Sequence, residues 1–138
     1  MGERLVYVSG ALIQNQERFL LAQRCPEDRF GGMWEFPGGS IEPKETAEAC
    51  IVRELKEELD IESRVLERLA EFSDELPDLK IIVYLFLCGI VSGIPKCLEC
   101  QNVGWYTIDE MLRLSLAPLD IKIQKWLTSQ HRFSRVHL

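Results

Sequence analysis

Residues 38–61 read GGSIEPKETAEACIVRELKEELDI, and this stretch decides the fold because a glycine turn leads into a helix with an unusual acidic face. At about 100° per residue, Glu54, Glu57 and Glu58 fall within an arc of about 100°. Three apolar residues lie roughly 140° away on the same helix, namely Val52, Leu55 and Leu59. Like charges at this spacing destabilise a helix, whereas a divalent cation bound by all three carboxylates would reverse that effect. The pattern therefore predicts a metal site on one face and core packing on another.

The turn before this helix supports the metal prediction. Pro37, Gly38 and Gly39 follow an aromatic run, so a predicted strand ends in a tight turn. Glycine lets the backbone approach a ligand closely and leaves carbonyl groups available. Glu45 and Arg53 bracket the first turns of the helix as a charge pair that can tie the loop down.

The spacing of these residues resembles the Nudix box, the signature of hydrolases of nucleoside diphosphates linked to another group. The matching pattern is Gly39, five residues, Glu45, seven residues, Arg53-Glu54-Leu55, one residue, Glu57-Glu58, then Ile61. Asp60 is the one departure, because the family usually has glycine there; Asp tolerates the left-handed conformation better than most residues. The alternative is a solvated acidic helix face with no function.

Length, composition and charge set the class of protein. The chain has 138 residues, 46% of them hydrophobic and 28% charged, as expected for one ordinary globular domain spanning 1–138. No apolar run approaches the roughly 20 residues of a membrane span, and no signal peptide is recognisable. A net charge of −6 argues against binding a nucleic-acid polymer. Both histidines, His131 and His137, lie near the C-terminus, which leaves carboxylates and metals for the chemistry.

The cysteines favour a reducing compartment. There are five, an odd number, and without a secretory signal we expect reduced thiols and a cytoplasmic location. Cys97 and Cys100 form a lone C-x-x-C pair, too few ligands for zinc; a redox role is the alternative. Cys50 and Cys88 are expected to be small core residues.

The order of elements predicts an α/β fold. Strands are expected at 4–13, 18–23, 64–72, 80–91 and 105–106, with a hairpin turn at 14–17 and a loop around Pro77. Helices are expected at 46–59, 108–114 and 119–130. These elements indicate an α/β/α sandwich around a mixed β-sheet, which is also the Nudix fold that the resemblance implies for nearly the whole chain.

Flanking residues resemble the MutT branch of that family, which cleans nucleotide pools. The similar segments are Ala22-Gln23-Arg24, Trp34 to Gly39, Gly93-Ile94-Pro95, Glu99-x-Gln101 and Trp105. The resemblance implies that Glu99 joins the metal site, although a solvated loop carboxylate is the alternative. It also implies phosphate contacts for Arg24 and Arg29, and guanidinium groups suit phosphate oxygens. Ser40 departs from the branch, which commonly has lysine there.

The implied chemistry is metal-assisted hydrolysis of a phosphoanhydride. Clustered carboxylates holding Mg²⁺ or Mn²⁺ neutralise phosphoryl oxygens and position a water. The implied metal ligands are the Gly38 carbonyl, Glu54, Glu57, Glu58 and Glu99, with Arg53 as a further catalytic residue and with Gly39 and Glu45 as structural residues of the motif. The general base is Glu54 or Glu99. The family implies attack of water at the β-phosphorus of a nucleoside triphosphate, giving a nucleoside monophosphate and pyrophosphate.

Base selection depends on residues outside the helix. The resemblance aligns Asp120 with an asparagine that reads the base edge, and places Glu35, Phe36, Leu76, Leu5, Tyr7 and Ile81 around the substrate. An ionised Asp120 only accepts hydrogen bonds and suits cytosine N4, whereas a buried, protonated Asp120 recovers a donor and suits 8-oxoguanine. An N-cap role for Asp120, and core packing for Leu5, Tyr7, Leu76 and Ile81, are the alternatives.

The sequence therefore predicts a monomeric, metal-dependent nucleoside triphosphate pyrophosphohydrolase that favours 8-oxo-dGTP. CTP-type pyrimidine triphosphates are the second choice. Other Nudix substrates, such as a dinucleotide polyphosphate or a nucleoside-diphosphate sugar, and a catalytically silent nucleotide-binding module are the remaining alternatives.

Overall fold

A computed structural model describes residues 4–133, so His137 and both ends of the expected 1–138 domain lie outside the described residues. In chain order the elements are β1 (Arg4–Leu12), β2 (Gln14–Asn15), β3 (Arg18–Gln23), β4 (Trp34–Glu35), β5 (Gly38–Ser40), α1 (Ala47–Leu59), β6 (Glu62–Leu76), β7 (Leu79–Ser92), β8 (Asn102–Tyr106), α2 (Ile108–Met111) and α3 (Pro118–Thr128), followed by a 3₁₀ turn at His131–Phe133. No helix among residues 4–133 is long and apolar enough to cross a membrane.

The strands form two sheets. The main sheet has the order β5-β1-β7-β6, with β1 and β7 parallel and the other two pairings antiparallel. The predicted mixed sheet is therefore confirmed. A smaller antiparallel sheet joins β2, β3, β4 and β8. This second sheet was not predicted, because the order of elements indicated a single mixed sheet.

Apolar side chains of the central strands point alternately to the two faces of the main sheet, so a helix can pack on each face. Successive side chains of a strand point to opposite faces. Ala11 therefore packs in a cluster with Leu55 of α1, whereas its neighbour Leu12 packs with Ile123 of α3 in a second cluster. The two helices thus cover opposite faces of one sheet, as predicted.

Helix α1 begins and ends as its sequence predicts. Thr46 is the N-cap, and its Oγ1 accepts a hydrogen bond of 3.0 Å from the Ala49 N–H, a contact worth about 1 kcal/mol. Leu55 and Leu59 are fully buried, which stabilises the helix on the sheet by about 2 kcal/mol each. At the C-terminus Asp60 adopts the left-handed conformation (φ 58°, ψ 39°), confirming that it can replace the usual glycine.

Several predicted boundaries were wrong. Strand β6 runs to Leu76 rather than ending at residue 72, because pairing with β7 outweighs the low β-propensity of Asp74 and Glu75. The predicted hairpin turns at residues 16–17 but is shorter than expected: β2 pairs with β3 and the Leu20 N–H donates to the Ile13 carbonyl, whereas β1 pairs with β5 and β7 in the other sheet. Helix α2 is shorter than predicted and ends at Met111.

Candidate active site

Arg53 connects the charged side chains of α1 to the loop that precedes the helix. Its Nε and Nη2 atoms donate to the two carboxylate oxygens of Glu45 at 2.6 and 2.9 Å, a bidentate contact. Hydrogen bonds from Arg53, together with the Glu42 backbone N–H, lower the pKa of Glu45 to about 2. Nη2 also donates to the Ser40 carbonyl at 3.1 Å. The charge pair expected from the sequence therefore fixes the loop between β5 and α1 to the helix.

The same guanidinium holds two of the three helix carboxylates. Nη1 of Arg53 donates to Glu54 Oε2 at 2.9 Å and to Glu57 Oε1 at 3.0 Å. Glu57 is exposed, whereas Glu54 is partly buried, and burial raises the pKa of Glu54 although Arg53 opposes the shift. Arg53 thus offsets the repulsion between neighbouring carboxylates and sets the orientation of both.

Gly39 makes room for Glu54. A Cβ atom at position 39 would collide with the carboxyl group of Glu54. Gly39 is held in place because it pairs with Ser9 of β1. The glycine of the motif is therefore required by a carboxylate that lies directly against the backbone of the turn.

Glu58 is partly buried and strongly desolvated. Desolvation is the largest cause of a raised pKa, about 9, and the neighbouring charges of Glu35, Glu54 and Glu99 raise it further. The Gly38 backbone N–H donates to Glu58 and opposes the shift. Four carboxylates from three parts of the chain therefore interact, and two of them, Glu35 and Glu58, line one cavity.

Glu99 reaches this region on a loop that docks against the end of α1. The Lys96 N–H donates to the Leu59 carbonyl at 3.0 Å, and the Leu98 N–H donates to the Glu58 carbonyl at 2.8 Å. Glu99 itself is exposed. The loop thus brings Glu99 within electrostatic range of Glu54 and Glu58.

The cysteines on either side of Glu99 form a disulfide, so the expectation of reduced thiols is wrong for this pair. A bend at residues 98–100 places the Cα atoms of Cys97 and Cys100 5.1 Å apart, within the range that a disulfide needs. Cys50 and Cys88 are buried core residues, as predicted.

The chemistry of these donors fits a divalent cation. Glu54, Glu58 and Glu99 repel one another, and a cation among them would relieve both the repulsion and the desolvation of Glu58. Within residues 4–133, no three acidic, histidine or cysteine side chains already converge at ligand distances. Two of the candidate ligands, Glu54 and Glu57, accept hydrogen bonds from Arg53 instead. The residues present therefore suit a divalent cation.

A cavity of about 350 Å³ opens beside Glu58. Its floor is the main sheet, and its walls are the N-terminal turn of α3 and the segment from Glu35 to Ser40. Arg24 and Glu35 both line it and form an ion pair of 2.9 Å. Arg29 does not line it; its guanidinium lies 3.5 Å from Asp78 on the exposed turn between β6 and β7. Arg24 is therefore placed for an anionic ligand in the cavity, and Arg29 lies outside it.

Asp120 is buried in the wall of the cavity. Helix α3 begins at Pro118 with Ala117 as N-cap, so the alternative that Asp120 caps this helix is wrong. Instead, Asp120 Oδ1 accepts a hydrogen bond of 2.9 Å from the Phe36 N–H. Burial raises the pKa of Asp120 well above its usual value, and the nearby charge of Glu35 adds to the shift. Burial therefore favours the protonated form of Asp120, which would carry both a donor and an acceptor.

The apolar lining is partly as expected. Leu76 and Ile81 line the cavity, but Leu5 and Tyr7 do not, because strand alternation places them on the other face of the sheet, where Tyr7 stacks on Tyr84. Phe30 and Asp74 line it and were not predicted. The position of Asp74 could have been predicted, because it is a charged residue spaced by two from Phe72 and from Leu76 and so falls on the same face of the strand.

Comparisons with known proteins agree with this geometry. A profile of the NUDIX domain matches residues 3–127, a range that includes α1 and the glycine turn. The CTP pyrophosphohydrolase of Escherichia coli K12 is 35% identical over 120 residues, covering 87% of this chain and 89% of that protein. An 8-oxo-dGTP diphosphatase of Proteus vulgaris is 34% identical over 85 residues, covering 62% and 76%. The crystal structure of a MutT Nudix hydrolase from Burkholderia pseudomallei superimposes with a TM-score of 0.81 at 25% identity, covering 89% and 98%.

Proposed function

Because the chain belongs to the Nudix family of hydrolases, we propose that it cleaves nucleoside triphosphates to a nucleoside monophosphate and pyrophosphate, with 8-oxo-dGTP as the favoured substrate. The observation that carries the proposal is one cavity lined by Glu58 and Gly38 and by the buried Asp120, whose protonated form burial favours. Such a cavity can bind a base while its phosphates reach the carboxylates of α1.

Asp120 supports the choice of 8-oxoguanine over guanine. A protonated carboxyl group donates through its hydroxyl and accepts through its carbonyl. The O6 and N7–H groups of 8-oxoguanine offer the complementary pair, whereas O6 and N7 of unmodified guanine are both acceptors. Because Oδ1 of Asp120 has a second lone pair, it can accept from the base while it accepts from Phe36.

The phosphate end uses the chain's charged groups. Arg24 would bind phosphate oxygens, since it lines the cavity beside Glu35. Glu54, Glu57, Glu58 and Glu99, with the Gly38 carbonyl, would hold Mg²⁺, with Mn²⁺ as an alternative. When bound, the cation would neutralise phosphoryl oxygens and make a bound water more acidic.

Glu54 is the better candidate of the two proposed general bases. Arg53 fixes the Glu54 carboxylate at 2.9 Å and Gly39 packs against it, whereas Glu99 lies exposed on a loop. Its task would be to accept a proton from water attacking the β-phosphorus. The bond between that phosphorus and the oxygen bridging to the α-phosphorus breaks, and the oxygen of the water stays on pyrophosphate. Hydrolysis in H₂¹⁸O should therefore label pyrophosphate and leave the monophosphate unlabelled.

A CTP-type pyrimidine triphosphate is the second candidate. The relative with 35% identity is named a CTP pyrophosphohydrolase. A protonated Asp120 also suits cytosine, because it can donate to N3 and accept from the N4 amino group. The cavity wall around Asp120 alone therefore does not separate the two bases.

Turnover of 8-oxo-dGTP, dGTP, CTP, dCTP and 5-substituted dCTP under identical conditions tests the proposal. We expect the highest kcat/KM for 8-oxo-dGTP and a low value for dGTP. A preference of tenfold or more for the pyrimidines would refute the first choice and support the second.

The proposal also covers the oligomeric state, partners and cellular location. We infer a monomer that acts on free nucleotides in the cytoplasm, without a nucleic-acid polymer or a membrane as partner. The free thiols of Cys25, Cys50 and Cys88 agree with that compartment, whereas the Cys97–Cys100 disulfide is unusual for it.

A further inference from the structure

Asp74 is a carboxylate in the apolar register of strand β6. It pairs with Ile81 of β7, which in turn pairs with Val6 of β1, so all three side chains lie on the cavity face of the sheet. Asp74 and Ile81 both line the cavity. A charge in this row disfavours packing, since its neighbours two residues away on β6 are Phe72 and Leu76.

The strand register places Asp74 far from the carboxylates of α1. Gly38 pairs with Gly10 of β1, so Asp74 is three strands across and four residues along the sheet from Gly38. At about 4.8 Å per strand and about 3.3 Å per residue, these offsets are roughly 14 Å and roughly 13 Å. Glu58 and Asp74 therefore mark opposite ends of one cavity, the phosphate end and the far end.

Lys122 holds Asp74 in place and leaves one of its oxygens free. The Lys122 ammonium lies 3.4 Å from Asp74 Oδ1 and donates to the Ser73 carbonyl at 2.7 Å. Oδ1 also accepts from the Glu75 N–H at 3.1 Å. Oδ2 has no hydrogen-bond donor among residues 4–133. Because Lys122 is two residues beyond Asp120 on α3, the same helix positions both carboxyl groups around the far end of the cavity.

We propose that Asp74 is a specificity-determining residue, whose free Oδ2 accepts from the amino and imino N–H groups on the Watson–Crick edge of the base, next to the edge that Asp120 binds. The inference rests on the proposed nucleotide function. 8-Oxoguanine has N1–H and a 2-amino group on that second edge, whereas cytosine has already used its single amino group at Asp120. Asp74 therefore selects a purine with a 2-amino group and separates the two substrate classes that Asp120 accepts.

Binding of two monophosphates that differ by one amino group tests Asp74. Calorimetry on the full chain would compare 8-oxo-dGMP with 8-oxo-dIMP, which lacks only the 2-amino group. A hydrogen bond to a charged acceptor predicts roughly tenfold to hundredfold tighter binding of 8-oxo-dGMP by the wild type. Asp74→Ala should remove that ratio because it weakens 8-oxo-dGMP by more than 8-oxo-dIMP, which can lose only its N1–H contact, and Asp74→Asn, which keeps the shape, should reduce the ratio less.

Glu75→Ala is the matched control, because Glu75 is the neighbouring exposed carboxylate on the opposite face of β6. It should leave the ratio unchanged. The ratio within one protein does not depend on the fraction that is correctly folded. The inference is overturned if the wild type shows no preference, if Asp74→Ala weakens both ligands equally, or if it alters only the ratio of CMP to UMP. A preference lost on Asp74→Ala in a protein that hydrolyses neither triphosphate would retain the inference and reject the proposed reaction.

Discussion

Replacing Glu58 with glutamine should make the metal-free protein more stable at alkaline pH. The pKa of Glu58 is raised to about 9 by burial and by three neighbouring carboxylates, whereas an unfolded glutamate titrates near 4.5. Between these two values the folded chain holds a proton that the unfolded chain has released. The free energy of unfolding therefore falls as pH rises through this window, and Glu58→Gln removes that contribution.

The expected size follows from one proton. Its contribution to the slope is at most about 1.4 kcal/mol per pH unit, or about 3 kcal/mol between pH 6 and pH 8. Urea unfolding in EDTA at several pH values in this range measures the slope for both proteins. Glu48→Gln is the control, because Glu48 is an exposed carboxylate on the same helix. It should leave the wild-type slope unchanged.

Added Mg²⁺ should reverse the ranking. A cation that binds only the folded state stabilises the wild type in proportion to its concentration, and loss of the Glu58 carboxylate should weaken that effect. Equal pH slopes for wild type and Glu58→Gln would refute the assignment of Glu58 as the buried proton-holding group. Equal stabilisation of both by Mg²⁺ would refute its role as a ligand.

Three further substitutions test neighbouring parts of the site. Glu57→Gln should lower kcat by several orders of magnitude with unchanged near-UV circular dichroism, because Glu57 is exposed and its loss removes a ligand rather than packing; near-wild-type activity would exclude it from the metal site. Gly39→Ala should lower kcat and, to a smaller extent, stability, since its Cβ would displace the Glu54 carboxyl group, the end of a flexible side chain. The neighbouring exposed Ser40→Ala should change stability little, and a fully stable, active Gly39→Ala protein would contradict the close contact. Asp60→Gly should raise the free energy of unfolding by about 0.5–1 kcal/mol, because relief of the left-handed strain exceeds the loss of exposed ion pairs with Lys56 and Lys96; a loss of more than 1 kcal/mol would show that those ion pairs dominate.

Local patterns predicted the parts of the fold that local interactions determine. The spacing of Leu55 and Leu59 fixed the buried face of α1, and Thr46 and Asp60 fixed its ends, since each of these effects acts within a turn or two. The partner of each strand depends on contacts distant in the chain. Residues 4–13 and 18–23 are adjacent in sequence and strand-like, yet they lie in different sheets, and nothing in their composition distinguishes the two outcomes.

In the site, too, local contacts were predicted and contacts between distant parts of the chain were not. The Arg53–Glu45 pair is separated by eight residues and was expected from its spacing, whereas the raised pKa of Asp120 depends on burial beside Phe36, 84 residues away. Arg29 was expected at phosphates by resemblance, but the turn between β6 and β7 supplies it with Asp78. Long-range packing therefore decides which of the chemically suitable residues face the cavity.

The loop that carries Glu99 docks on α1, the helix that carries Glu54, Glu57 and Glu58. Because the Lys96 and Leu98 N–H groups bind the last carbonyls of the helix, the loop extends the helix as a cap would, and displacement of α1 carries Glu99 with it. The position of Glu99 therefore depends on the C-terminal end of α1, so a substitution that unwinds the last turn of this helix should displace Glu99 as well.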